Sequence, residues 1–354
     1  MRKKLIALVL ITIILSGFSA LSADEIRFIA MGDSRHSGVG APYPWIYQRI
    51  LKEVGWIGVD MVFNTGDIIL CDGHSIDKER KAFREFMDLH KPYPFKLYVA
   101  PGNHDYDTAE RRQAYHEIVH EKPYYSFNYK GAHFISLNTE IPGQIRTISG
   151  DQWEWLKKDL EKNKNNRPIF VFMHRPMYSR FNPNFNPKKK ENFLNRKERD
   201  KVAGLFTRYG VNSVFSGHEH SLYKETHGGI KYFITGGAGA PLYGTPLEGG
   251  LYHYILVTID DDGKVKHQVI LPGQINVVKE DDHNIVVSNT TWEKLKFRGI
   301  QLPTPEGNFH LEAEAIGWKK QGYSAEVLEN KDGILTIGIE VPRICNMRVK
   351  VVED

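Results

Sequence analysis

Five short apolar runs in this chain each end on residues that can hold a metal ion. Ile26 to Met31 runs into Gly32-Asp33, and Met61 to Phe63 into Asn64-Thr65-Gly66-Asp67. Leu97 to Val99 leads to Gly102-Asn103-His104-Asp105, and Ile169 to Met173 leads to His174. Val211 to Phe215 leads to Gly217-His218-Glu219-His220, whose two imidazoles fall on one side of an extended segment. Mixed carboxylate, amide and imidazole ligands suit borderline transition metals such as Mn, Fe or Zn. Each motif alone has an ordinary reading. Gly-Asp after a strand is a turn, and a single His is a packed or exposed imidazole. Five in order are hard to attribute to turns.

The elements that must position these residues follow from periodicity. The five runs read as buried strands. Helix-like stretches separate them: Trp45 to Val54, Ile76 to His90, Ala109 to His120, Trp153 to Lys162 and Arg196 to Tyr209. Such alternation argues for an α/β domain, whose strands gather their carboxyl ends at one edge. Two Asp, one Asn and three His would meet there. Tyr124 to Asn138 reads instead as a hairpin turning at Lys130-Gly131. Ile230 to Thr235, Tyr252 to Asp260 and Val265 to Leu271 add strands. The strand content therefore favours a two-sheet β-sandwich flanked by helices. After Pro272-Gly273 the pattern becomes strict alternation, as in Leu335, Ile337, Ile339 and Val341, so residues 273–354 read as a small all-β C-terminal domain.

Composition sets the remaining bounds. The chain has 354 residues, 41% hydrophobic and 25% charged, which excludes disordered, collagenous and coiled-coil classes. Two cysteines, Cys71 and Cys345, exclude a disulfide framework or a Cys-rich zinc module and leave one bridge open. Arg2, Lys3 and Lys4 precede an apolar run from Leu5 to Leu15, and Ser16 to Ala23 is small and polar enough for cleavage. Residues 1–22 read as an export signal, the run being shorter than the ~20 residues of a membrane span. The alternative is an uncleaved anchor, the only route here to a membrane. Without the three basic residues the formal charge falls from +4 to +1. That balance gives no global case for nucleic-acid binding.

In their order and spacing the motifs resemble those of the calcineurin-like metallophosphoesterases, a superfamily that includes purple acid phosphatases and exported phosphatases and phosphodiesterases. The family order is D-x-H, GD, GNH-D/E, H and GH-x-H. The resemblance covers about residues 25 to 272, including the glycine-rich Thr235 to Leu242, so residues 23–272 are expected to form the metallophosphoesterase domain. It implies a metal-dependent hydrolase of phosphoric esters, phosphatase or phosphodiesterase, that uses a metal-bound hydroxide. Two divalent or trivalent ions (Mn, Fe or Zn) are implied. Asp67 would bridge them, Asp33 and His220 would complete the first site, and Asn103, His174 and His218 the second. His104 would protonate the leaving oxygen or stabilise the transition state, and Asp105 would orient its imidazole.

One position departs from the pattern. Arg35 stands where the family has a His ligand, and a guanidinium cannot ligate a metal. Purple acid phosphatases also lack that His but place a Tyr three residues after the bridging Asp, where this chain has Leu70. The first site is therefore expected to be weak. His36 could be recruited, although alternation points it away from Arg35. Arg35 is assigned a contact to substrate phosphate. The segment Arg180 to Asp200, basic and interleaved with phenylalanines, could recruit an anionic substrate or be a solvated loop. No nucleic-acid or protein partner is otherwise indicated. Two other readings stay open. One is a non-catalytic or scaffold member with an impaired first site. The other is a cell-surface binding protein using Trp292, Trp318 and Tyr323, residues that would otherwise be core.

Overall fold

The computed structural model describes residues 25–70, 75–179, 196–316 and 322–354. The expected export signal, Cys71, Arg180 to Asn195 and Trp318 lie outside them. Cys345 is buried.

Two sheets stack face to face. The first has five strands in the order β11-β10-β1-β2-β3. Here β1 is Ile26–Met31, β2 Met61–Asn64, β3 Lys96–Val99, β10 Tyr254–Ile259 and β11 Val265–Ile270. Strands β1, β2 and β3 run parallel, and β10 is antiparallel to β1. The second sheet has six strands, ordered β4-β5-β6-β7-β9-β8. They are β4 Tyr125–Tyr129, β5 Ala132–Ser136, β6 Ile169–Met173, β7 Val211–Ser216, β8 Leu222–His227 and β9 Ile230–Thr235. Strands β5, β6, β7 and β9 are mutually parallel.

The apolar runs make sense because both faces of these strands are covered. In β1, Phe28 and Ala30 face the opposite sheet while Ile29 and Met31 face helices. The layer between the sheets is aromatic. Phe28 meets Phe63, Phe134 and Phe170 edge to face, with centroids 5.5, 5.6 and 4.9 Å apart. Helices α1 (Trp45–Ile57), α2 (Ile76–Asp88) and α4 (Ala109–Ile118) cover the first sheet. Helices α5 (Gly150–Lys162) and α6 (Arg196–Tyr209) cover the second. A one-turn helix, α3 (Asn103–Tyr106), follows β3. The expected helix-flanked sandwich is present.

The tail forms two antiparallel sheets. One orders β12 (Ile275–Lys279), β13 (Asn284–Asn289), β18 (Cys345–Glu353) and β15 (Phe309–Ile316). The other orders β14 (Leu295–Pro303), β17 (Ile334–Val341) and β16 (Ser324–Lys331). Strands β8 and β16 escape sequence patterning because they are polar edge strands with little buried surface. Trp292, expected in the core, is 75% exposed, and the tail instead buries Leu335, Ile337 and Ile339 with Met347 and Val349. Among the described residues no helix is long and apolar enough to cross a membrane.

The tail docks along α1. The buried Arg27 guanidinium donates to Ile57 O (3.0 Å) and to Lys296 O (2.7 Å). Arg49 donates to Ile275 O (2.5 Å), and Glu53 accepts from the Gly273 N–H (2.6 Å). Backbones touch where α1 meets β14, since a Cβ on Gly299 would stand 1.9 Å from Gly55 O. Gly299→Ala should therefore lower stability by about 1–3 kcal/mol in a urea titration. Gly204→Ala, inside α6 with open space around it, should leave stability unchanged or raise it by up to ~1 kcal/mol. Equal effects would show that the contact carries no strain.

Candidate metal centre

The loops leaving β1, β2, β3, β6 and β7 meet at one sandwich edge, and backbone hydrogen bonds bind them together. Asp33 N–H donates to Gly66 O (2.9 Å) and Arg35 N–H to Asp67 O (3.1 Å). Gly217 N–H donates to His174 O (2.9 Å). Asp33, Asp67 and His218 all take the left-handed backbone region, at φ 57°, 55° and 69°. That conformation is costly for a residue with a side chain and persists only where the surroundings enforce it. The enforcing contacts include two glycines. A Cβ on Gly102 would stand 2.4 Å from Asp67 Oδ1, and one on Gly217 2.4 Å from Asp33 Oδ2.

All six expected ligands gather here. Asp67 Oδ1 accepts from the His104 backbone N–H at 2.9 Å and lies 3.4 Å from His174 Nε2. His174 Nε2 is also 3.0 Å from Asn103 Oδ1 and 3.1 Å from His218 Nδ1. On the other side, His220 Nε2 is 3.3 Å from Asp33 Oδ1, and Asp33 Oδ2 accepts from the His218 backbone N–H at 2.9 Å. Two imidazoles have their tautomer set from outside. His174 donates through Nδ1 to Thr65 O (2.9 Å), and His220 through Nδ1 to Pro241 O (2.6 Å). Each then turns a lone pair on Nε2 inwards.

The arrangement fits cations. One ligand atom each from Asp33, Asp67 and His174 lie within 4.8 Å of one another. Asp33 Oδ1 is buried and receives no hydrogen bond, a costly state for a carboxylate oxygen unless a positive group is supplied. The electrostatics agree. Burial opposes charge on Asp67, yet the imidazoles of His174 and His104 outweigh it and hold the carboxyl below the usual range. Burial also opposes charge on His174, but Asp67 and Asp33 raise it. Asp33, Asp67 and His220 could hold one ion, and Asp67, Asn103, His174 and His218 a second.

The three residues expected to act on substrate separate. His104 is 30% exposed, with Nε2 3.9 Å from Asp67 Oδ2. Burial and the Arg35 charge lower its pKa against the pull of Asp67. Arg35 lies on the same side, its Nε 3.8 Å from Asp67 Oδ2 and its Nη1 donating to His36 O at 3.2 Å. Asp105 does not orient the His104 ring. Its buried carboxylate accepts from the N–H groups of Asp67 (2.7 Å), Gly102 (2.8 Å), Ile68 (2.9 Å) and Ile69 (3.3 Å). Successive residues of a helical turn point about 100° apart, so Asp105 faces the loop while His104 faces the open side. Asp105 is a residue of loop architecture. His36 packs edge-on against Tyr43 with ring centroids 4.0 Å apart.

Sequence reading missed three neighbours. Tyr243 lies flat on His220, with centroids 4.2 Å apart. Glu140 and Arg175 form a buried ion pair whose guanidinium reaches His218. Reading β4 and β5 as a separate hairpin hid that β5 runs parallel to β6 and so carries Glu140 to the same edge. Arg175 was in plain view beside His174.

Comparison with known proteins places this geometry. Acid phosphatase type 7 of Mus musculus is 25% identical over 311 residues, covering 76% of this chain and 70% of its own length. The Homo sapiens protein of the same name is 26% identical with the same coverage. Among solved structures, a purple acid phosphatase from yellow lupin (Lupinus luteus) seeds superposes with a TM-score of 0.51 at 16% identity. That match covers 74% of this chain and only 51% of the lupin chain. A dimetal phosphatase from Danio rerio gives a TM-score of 0.51 at 13% identity, covering 70% of this chain and 99% of its own. At those identities the two structures share the fold. The family model for calcineurin-like phosphoesterases matches residues 26–222, a stretch that holds all six candidate ligands, and the chain belongs to that family.

Proposed function

We propose that this protein is an exported hydrolase of phosphoric esters that works with two transition-metal ions, Mn, Fe or Zn. The observation that carries the reading is the convergence of Asp33 and Asp67, both buried, with Asn103, His174, His218 and His220 at one sheet edge. When bound, the ions supply Lewis acidity and an activated water. The chain's own residues do the rest. Asp67 lies between the two ligand groups and orients both. Arg35 meets the phosphate with a fixed positive charge. His104, partly exposed on the open side, is placed to exchange a proton with the leaving oxygen. Export is proposed from the basic and apolar start of the chain.

Arg35 also favours a second reading. Arg35 replaces the family's His ligand in the first site, and its guanidinium 3.8 Å from the shared Asp67 disfavours a cation there, so a non-catalytic member of the fold is the competing reading. Turnover of an aryl phosphate with added Mn separates the two.

Three outcomes are expected. Chelator treatment should abolish hydrolysis, and Mn, Fe or Zn should restore it; full turnover by demonstrably metal-free protein would refute the metal role. His104→Ala should slow an alkyl phosphate ester by about 100-fold or more, and a nitrophenyl ester, which needs no acid, by much less. Equal losses on both esters would leave His104 no proton-transfer role. Finally, metal content per chain should show one tight ion and one that washes out. Arg35→Ala should lower kcat/KM about tenfold or more without emptying the tight site, whereas Arg35→His should tighten the loose ion. Two equally tight ions in the wild type would mean that another ligand replaces the family His.

A further inference from the structure

Away from the metal centre, the seam between the first sheet and the tail gathers positive charge around a cavity of about 280 Å³. That volume is near the small end of ligand-binding pockets. Strand register explains the lining. Arg27 of β1 lies opposite Thr258 of β10, and Thr258 lies opposite Lys266 of β11. Opposed residues of antiparallel strands share a face and stand about 5 Å apart, so these three side chains form one row. Arg27 shows which face it is, because its guanidinium donates to Lys296 O of the tail at 2.7 Å. Gln268, two residues beyond Lys266, ties β11 to the tail by donating to Thr291 Oγ1 at 3.1 Å.

Five cationic side chains line the cavity, those of Arg27, Lys264, Lys266, Lys294 and Lys296, against two carboxylates, Glu25 and Asp260. Both carboxylates are engaged elsewhere. Glu25 lies 2.8 Å from Arg298, and Asp260 accepts from the Lys264 backbone N–H at 2.8 Å. Two further acids approach from outside the lining. Glu293 pairs with Lys266, and Glu340 is divided between Lys294 (2.7 Å) and Lys296 (3.5 Å). The Lys264 ammonium forms no ion pair among the described residues. Arg27 is 2% exposed, and its Nε finds no acceptor. Burial, and then the charge of Arg298, push its pKa down to about 10 against the pull of Glu25 and Asp60. A buried donor without an acceptor is costly, and so are cations outnumbering their counter-charges. An anion in the cavity relieves the second cost.

We propose that this seam is an anion-binding site for a phosphate-type oxyanion, either free phosphate or a phosphoryl group on a small organic body. Arg27 supplies a fixed charge from the floor, and the exposed lysines can close on the oxyanion with charge-assisted hydrogen bonds. Leu256 and Leu295 offer a wall to an organic body. The site does not depend on the metal centre, since Asp33 lies six residues beyond Arg27, about 20 Å along the strand. An anion held between the lysines of β11 and those of β14 would draw the tail onto the first sheet.

The experiment is calorimetric titration of the full chain, as purified and after chelator treatment, at constant ionic strength. The probes are inorganic phosphate and propylphosphonate, which has no ester to hydrolyse. Wild type is compared with Lys294→Ala and with the double variant Lys264→Ala/Lys266→Ala, all exposed positions whose truncation leaves the core untouched. Wild type should show a phosphate-binding mode that survives the chelator. The double variant should weaken that mode about tenfold or more, and Lys294→Ala should weaken it as well. Phosphate should also raise the melting temperature of the wild type beyond the effect of chloride at equal ionic strength, and should not do so in the double variant. Tighter binding of propylphosphonate identifies an organic ligand, and tighter binding of phosphate the free ion. Wild-type binding that disappears with the metal, or unchanged affinity in the double variant, would overturn the proposal.

Discussion

The constraint on which this structure turns is the burial of two carboxylates side by side. Asp33 and Asp67 are almost fully buried, and a buried carboxylate is stable only when paired or hydrogen-bonded. The fold supplies part of the compensation through backbone N–H groups, from His218 to Asp33 and from His104 to Asp67. What remains uncompensated points inwards, where the imidazoles converge. Many features that look like local detail serve this pair. Three residues hold left-handed backbones, and glycines stand where any Cβ would strike a carboxylate oxygen. Asp105 spends four hydrogen bonds on the loop that presents Asp67.

Much of this was legible in the sequence, for a physical reason. Parallel strands covered on both faces must be apolar throughout, so their ends are marked wherever the run stops. Met31 is followed by Gly32-Asp33 and Met173 by His174, and polarity so abrupt after a buried strand is visible without a structure. What stayed hidden depends on direction. Asp105 and His104 are adjacent in the chain, but helical geometry sends one to the loop and the other to the opening. Glu140 and Arg175 are 35 positions apart and meet only because β5 and β6 are parallel neighbours. The left-handed backbones of Asp33, Asp67 and His218 have only a weak sequence marker, because Asp and His are enriched in that region yet most copies of either adopt other backbones.

The two ligand groups are built with unequal support. Asn103, His174 and His218 sit on three different loops, with Glu140 and Arg175 behind them. The group around Asp33 and His220 has one imidazole, covered by Tyr243, and Arg35 lies 3.8 Å from the Asp67 that both groups share. A positive side chain there weakens a cation and attracts an anion by the same Coulomb term. The same substitution that costs metal affinity thus adds attraction for phosphate. It makes Arg35 the residue on which the catalytic and non-catalytic readings divide.

The position of the tail narrows where substrate choice can reside. It docks through Arg27 at the start of β1 and through Gly55, Ile57 and Gly58 at the end of α1. Asp33 lies six residues beyond Arg27, and a strand rises about 3.3 Å per residue, so docking contact and ligand are about 20 Å apart. The docked end of the tail therefore sits at the opposite edge of the first sheet from the metal centre. The loops at the carboxyl edge that border the candidate ligands are the stretch carrying Arg35, the turn that carries Glu140, and the glycine-rich turn that lays Tyr243 on His220. The tail shares packing with α1 and β1 and also touches β11, where Gln268 donates to Thr291 Oγ1 at 3.1 Å. Its contacts to Arg27 and Arg49 tie the first sheet's central strand and α1 to the tail's strands, which share one apolar core with them.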